Sequence, residues 1–132
     1  MDKGSYVLEI EINGDVEVGA LGVRSFNDFY VYCGSAMGPG GLSRVKRHFR
    51  KAEGEGSTHW HIDYLLTEGK VRKAYIFPGR DIECQLSNEL STGVHGFGAS
   101  DCSCDSHLHT TENLGTVLER DHRVIKPDEL NQ

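Results

Sequence analysis

Arg44, Arg47, His48 and Lys51 recur at i, i+3, i+4 and i+7, a spacing that presents them together on one face of a helix. Directly before them, residues 34–41 carry four glycines and a proline. Ahead of that loop stands Phe29-Tyr30-Val31-Tyr32-Cys33, an apolar run of the aromatic and β-branched kinds that favour a strand. A strand, a glycine loop and a helix bearing guanidinium, imidazole and ammonium groups make a surface suited to phosphate. Lys46 and Arg50 extend it, so five of the 14 cations (Arg44, Lys46, Arg47, Arg50, Lys51) fall within eight residues. The plainer alternative is a solvated helix face.

Two further clusters hold metal-ligating side chains. Cys102, Cys104 and His107 place three soft or borderline ligands within six residues, and Cys84 could supply a fourth. Thiolate and imidazole suit a tetrahedral structural Zn²⁺, although the spacing is not that of a zinc finger. Reduced, buried cysteines beside surface histidines are the alternative. His59, His61 and Asp63 would share one face of a strand, as in a metal-dependent hydrolase. On a helix they spread over about 200° and cannot ligate together. Trp60, between them, is expected in the core rather than as a base-stacking platform.

The elements that must position these groups follow from periodicity. Tyr6, Leu8, Ile10 and Ile12 alternate with Glu9 and Glu11, which predicts a half-buried strand with a solvated acidic side. Asn13-Gly14-Asp15 reads as a hairpin turn, with Val16-Glu17-Val18 starting the return. The run at 29–33 is then a further strand. Leu42, Val45, Phe49 and Ala52 give the following helix an apolar stripe. The segment 59–66 is read as a short helix because Ile62, Leu65 and Leu66 share a helical face. Residues 71–77 form another strand, and 81–90 a second amphipathic helix through Ile82, Leu86 and Leu90. A loop over 93–106, a short strand at 108–111, a helical turn or strand at 116–120 and a frayed end complete the chain. This order suggests a small α/β sheet with helices against it.

Composition sets outer limits. With 132 residues, 37% hydrophobic and 26% charged, the chain is an ordinary globular protein of one expected domain, 1–132. No apolar run approaches the roughly 20 residues that cross a bilayer. Met1-Asp2-Lys3-Gly4 is polar and leads straight into a strand, so no signal peptide and a cytoplasmic location are expected, with the four cysteines reduced or metal-bound. The net charge of −6 argues against nucleic-acid binding over the whole surface, and without the five clustered cations it would stand at −11. Any nucleic-acid contact must therefore be local.

Gly4-Ser5-Tyr6 on the first strand, Tyr32-Cys33-Gly34 on a later one, and Arg44 and His48 on the next helix resemble the GIY-YIG nucleases. The closer likeness is to their Uri-type, DUF123-like branch of small prokaryotic endonucleases. The strings YVYCGSA, GGLSRVKRH, HWHIDYLL, ECQLSNEL and FGASDCSCDSHL spread the resemblance over most of the chain. Ser5 and Cys33 replace the middle isoleucine of each name-giving motif, at positions that are structural in the family. The resemblance implies an α+β fold, a small three-stranded antiparallel sheet flanked by helices, with a core at about 4–92 and a Cys/His-containing extension at about 93–132.

It also implies phosphodiester cleavage with one divalent ion, Mg²⁺ or Mn²⁺. Tyr6 would be the general base and Tyr32 would position water or phosphate. Arg44 would stabilise charge on the phosphate, His48 would assist Tyr6, and Glu83 would hold the metal. A phenol titrates near pH 10, so Tyr6 acts at neutral pH only beside cations that favour phenolate, a field expected from Arg44 and His48. One carboxylate with several waters suits Mg²⁺. Each residue has a structural alternative: sheet aromatics for Tyr6 and Tyr32, a solvated pair for Arg44 and His48, and a helix N-terminal carboxylate for Glu83, with Glu89 as its competitor for the metal.

The expected function is thus a metal-dependent endonuclease whose partner is nucleic acid, DNA before RNA, with Lys46, Arg47, Arg50 and Lys51 on its backbone. A homodimer or partner protein would complete recognition, and no membrane is involved. The competing classes are a noncatalytic nucleic-acid-binding module and a zinc-dependent hydrolase of a small molecule.

Overall fold

The alternation at Tyr6, Leu8, Ile10 and Ile12 does not stop at Asn13-Gly14. In the computed structural model, which describes residues 3–56, 58, 60–91, 93–94, 96–97 and 106–127, it runs on as one strand, β1 (Gly4–Glu17). The partner strand β2 (Val23–Ser35) pairs antiparallel with it from Ser5↔Ser35 to Glu17↔Val23. The expected hairpin turn at residues 13–15 is therefore corrected. Gly14 stays in the ladder opposite Phe26, at a φ of 97° that glycine adopts without a Cβ penalty. The chain reverses instead at a 3₁₀ turn, Gly19–Leu21, closed by the Val18 N–H donating to the Gly22 carbonyl at 2.9 Å. Pairing past Gly14 buries Val16 and Phe26, apolar area that an early turn would leave in water.

Among the described residues four helices and three more strands follow: α1 (Ser43–Ala52), α2 (His61–Glu68), β3 (Lys70–Pro78), α3 (Glu83–Glu89), β4 (Leu108–Thr110), α4 (Leu114–Val117) and β5 (Arg123–Ile125). The sheet order is β4-β2-β1-β3-β5, antiparallel at every pairing. The expectation of a three-stranded sheet is overturned: the sheet has five strands. β4 and β5 are three residues each; β4 answers the short strand expected at 108–111, whereas β5 is too short for a period-2 pattern to show in the sequence. They are placed by pairing with Tyr30–Tyr32 and Ala74–Ile76, backbone that would otherwise be open sheet edge.

The sheet is covered on both faces. Tyr6, Leu8, Ile10 and Ile12 pack with Val45 and Phe49 of α1 and Ile62, Leu65 and Leu66 of α2. On the reverse, Val7, Val31, Cys33 and Phe77 pack with Leu86 of α3 and Val117 of α4. The acidic side of β1 is accordingly solvated only in part. Glu9 lies 3.9 Å from Lys73 Nζ and Glu11 pairs with Arg72, whereas Val7 on that side is buried. Among the described residues no helix is long and apolar enough to cross a membrane.

Candidate functional site

Register brings the tyrosines together. Tyr6 stands opposite Gly34 and Leu8 opposite Tyr32, so the rings of Tyr6 and Tyr32 share the face under α1 as diagonal neighbours. A β-carbon at Gly34 would overlap the Tyr6 ring, its end carbon and hydroxyl included. The glycine is there because the ring lies across it. His48 closes the group from above: its Nε2 is 2.8 Å from Tyr6 Oη, and its ring is edge-on to Tyr32 with centroids 6.1 Å apart. At about 100° per residue, His48 lies about 40° from Arg44 and about 60° from Val45 around α1. It sits on the seam between the cationic and apolar stripes and turns inward. The sequence left it either as the partner of Tyr6 or as half of a solvated pair with Arg44; it is only 2% exposed and Tyr6 1%, which rules out the solvated pair.

Burial governs both groups. It pushes the Tyr6 phenol well above its ordinary range, with Tyr32 and Glu83 adding in the same direction and Arg44 and Arg47 pulling against them. Tyr32 is raised likewise, burial first and Glu83 next. His48 is lowered to about 4, by burial first and then by Arg47. The expected cationic field favouring phenolate is thus corrected in the resting site. His48 is neutral at pH 7, and desolvation outweighs Arg44. A neutral imidazole can accept the phenolic proton at Nε2, in which tautomer Nδ1 carries the ring proton. Nδ1 is buried without a partner among the described residues.

Arg44 and Glu83 flank this pair. The Arg44 guanidinium donates to the Ser35 carbonyl at 2.9 Å, at the end of β2, and is otherwise exposed. Glu83 is the first residue of α3, and its carboxyl is held above the usual range by burial, then by Asp81, while Arg44 opposes both. Its competitor Glu89 pairs with Arg120, an engagement unrelated to the tyrosines. The turn that delivers Glu83 is fixed by Ser5: its buried hydroxyl donates to the Arg80 carbonyl at 2.8 Å and accepts the Ile82 N–H at 3.0 Å. Sequence reasoning passed over Ser5 as a neutral replacement; Ser5 lies on the acidic side of β1, where a hydroxyl gives no signal of burial. Sequence reasoning also considered His107 only for zinc. That imidazole is buried, with Nε2 3.8 Å from Glu83 Oε1 and Nδ1 2.9 Å from Ser87 Oγ.

A divalent ion fits Glu83 in one specific sense. No three His, Cys, Asp or Glu side chains among the described residues form a group able to cage a metal. A carboxylate crowded by Asp81 and partly desolvated has negative charge for a cation to offset, and Mg²⁺ is often held by one carboxylate and water. For the zinc reading, Cys102 and Cys104 lie outside the described residues, and Cys84 is an exposed free thiol on α3. His59 lies outside them too. His61 and Asp63 are on α2 as expected, with His61 against Phe97 (5.5 Å between centroids) and Asp63 accepting the Trp60 N–H at 2.9 Å.

On α1, Arg47 and Arg50 point to solvent and Lys46 partly so, while Lys51 Nζ donates to Thr58 Oγ1 at 2.8 Å and to the Gly56 carbonyl. Trp60 corrects the expectation of a core residue: it is 56% exposed. Its neighbours Ile62, Leu65 and Leu66 fill the core instead, one helical face being enough for α2. A groove of about 320 Å³ lies between Phe49, Ala52 and Glu53 of α1's end and Lys70, Val71 and Arg72 at the start of β3. That is the end of β3 remote from Ile76, the partner of Tyr6, and none of the groups above lines it.

Searches of curated proteins and of solved structures found no match for the chain. A family pattern does match, over residues 5–127, which spans β1 to the end of β5 and contains Tyr6, Tyr32, Arg44, His48 and Glu83. The chain belongs to the family described as Domain of unknown function DUF123.

Proposed function

We propose that this protein is a metal-dependent endonuclease of the GIY-YIG type, hydrolysing phosphodiester bonds in DNA or RNA. The observation that carries the reading is the Tyr6–His48 pair lying across Gly34, with Arg44 and Glu83 both acting on the same phenol. Tyr6 takes a proton from the attacking water while passing its own to His48 Nε2, so a neutral imidazole is the form required. Arg44, tethered at the end of β2, offers its free guanidinium nitrogens to the phosphate oxygens. Tyr32, edge-on to His48, would help position the water or phosphate. Mg²⁺ or Mn²⁺ at Glu83, when bound, supplies Lewis-acid stabilisation of the leaving oxygen.

The experiment is cleavage of labelled single-stranded, duplex and branched DNA and RNA with Mg²⁺ or Mn²⁺, comparing wild type with Tyr6→Phe and Glu83→Ala. Metal-dependent cutting lost in both variants is the expected outcome. A second reading, a nucleic-acid-binding module without turnover, is favoured by the near-complete burial of Tyr6 and His48, which suits a structural hydrogen bond. Binding of nucleic acid by a folded wild type that cuts none of these substrates would select it.

A further inference from the structure

The one tryptophan in the chain, Trp60, is among the most exposed large apolar side chains of the described residues, and it directly precedes His61, whose ring is linked to those of the site. Trp60 precedes α2, and its N–H is held by the Asp63 carboxylate at 2.9 Å. That carboxylate is close enough to act electrostatically on both His48 and Tyr32. His61, the next residue, lies against Phe97, and Phe97 in turn lies edge-on to Tyr32 at 6.0 Å. A ladder of rings therefore runs from His48 through Tyr32 and Phe97 to His61, and Trp60 is the exposed member beside it. α1 packs on α2 and presents Arg47 and Arg50 to solvent, the charge that a nucleic-acid backbone needs. An indole left in water beside cations costs solubility and contributes nothing to the core.

We infer that Trp60 is a stacking platform for an unpaired nucleobase next to the phosphate held by Arg44, so that the substrate is single-stranded or locally unpaired nucleic acid. The inference rests on the nuclease reading for the phosphate site, and it adds what that site leaves open. In a duplex the faces of the bases are covered by their neighbours. A free base offers its face, and stacking of this kind tolerates any sequence.

Because Trp60 is the sole tryptophan, the intrinsic emission of the full chain reports on it alone. With a chelator present, unlabelled single-stranded DNA, single-stranded RNA, the same DNA strand made abasic throughout, and a blunt duplex are titrated while emission is recorded. Affinity is read in parallel from the anisotropy of labelled strands. The expected result is quenched Trp60 emission with single-stranded DNA, RNA or both, the two arms showing which sugar is accepted. The abasic strand should bind on the order of 5- to 100-fold more weakly and without quenching. Trp60→Ala should lose a similar factor, while Trp60→Tyr, which keeps a ring, retains most of the affinity. Single strands that bind with unchanged emission, an abasic strand that binds equally well, or a duplex that binds as tightly with the same quenching would each overturn the stacking role and leave the nuclease reading standing. Absence of binding by every strand would overturn both.

Discussion

At the scale of single residues, the site depends on a fit between one ring and one missing side chain. Tyr6 lies across Gly34, so Gly34→Ala must displace either the ring or the strand. The substitution is expected to lower unfolding free energy by about 3 kcal/mol, the upper end of overpacking costs, and to abolish cleavage; urea denaturation and the cleavage assay check the two effects. His48 gives a pH signature. Its native pKa of about 4 lies below the roughly 6.5 of an unfolded histidine, so the unfolded chain takes up the proton first as pH falls. The stability is fully present above about pH 6.5 and is lost as pH falls toward 4, by on the order of 3 kcal/mol. His109, also lowered to about 4 by burial and then by His107, acts in the same window. Urea midpoints from pH 7 to 4 should fall less steeply for His48→Gln, which cannot titrate but can still bond Tyr6.

Between elements, the decisive joint is the turn from β3 into α3. β1 supplies Ser5, whose hydroxyl bridges the Arg80 carbonyl and the Ile82 N–H, and so fixes where Glu83 begins its helix. α3 is seven residues long and has no side-chain cap bond at its N-cap, so this clamp holds the backbone that leads into it. Ser5→Ala orphans the buried Ile82 N–H, a cost of about 1–3 kcal/mol. It should also raise the Mg²⁺ concentration needed for half-maximal cleavage several-fold, while Arg44 and the Tyr6–His48 pair stay in place. Titration of activity against Mg²⁺, alongside thermal melts, separates those effects. α1 contributes differently. Its seam position turns His48 in and leaves Arg44 and Arg47 out, so in the proposed mechanism one helix would serve both the proton relay and the phosphate.

Across the whole molecule, charge is unevenly shared. The net charge is −6, while Arg44, Arg47 and Arg50 face solvent on one helix. If these three neutralise one phosphate each, the affinity for a single strand should fall roughly 20-fold between 50 and 200 mM salt, from a slope of about −0.7 per contact. Anisotropy titrations at several salt concentrations measure that slope directly. A value near zero would remove α1 from the interface. The five-stranded sheet matters at this scale too: β4 and β5 occupy the two outer positions, and β4 follows directly on His107, the residue beside Glu83. The C-terminal segment thereby becomes part of the site's wall.

Local pattern was enough to determine the first half of β1 and the helices α1 and α2. Alternation over Tyr6 to Ile12, the apolar stripe of α1 and the helical face of Ile62, Leu65 and Leu66 were legible, because periodicity is a property of neighbouring residues; the set Tyr6, Tyr32, Arg44, His48 and Glu83 came from the resemblance and not from periodicity. Tertiary structure alone decided the rest. The strand β5, and the place of β4 at the sheet's other edge, depend on partner strands being there to pair with. The ladder continued past Gly14 because Val16 and Phe26 could be buried. Trp60 was left in solvent because three aliphatic neighbours already filled its side of the core. His48 and Tyr6 are neutral because desolvation, which depends on everything packed around a group and on no single neighbour in sequence, outweighed the nearby arginines.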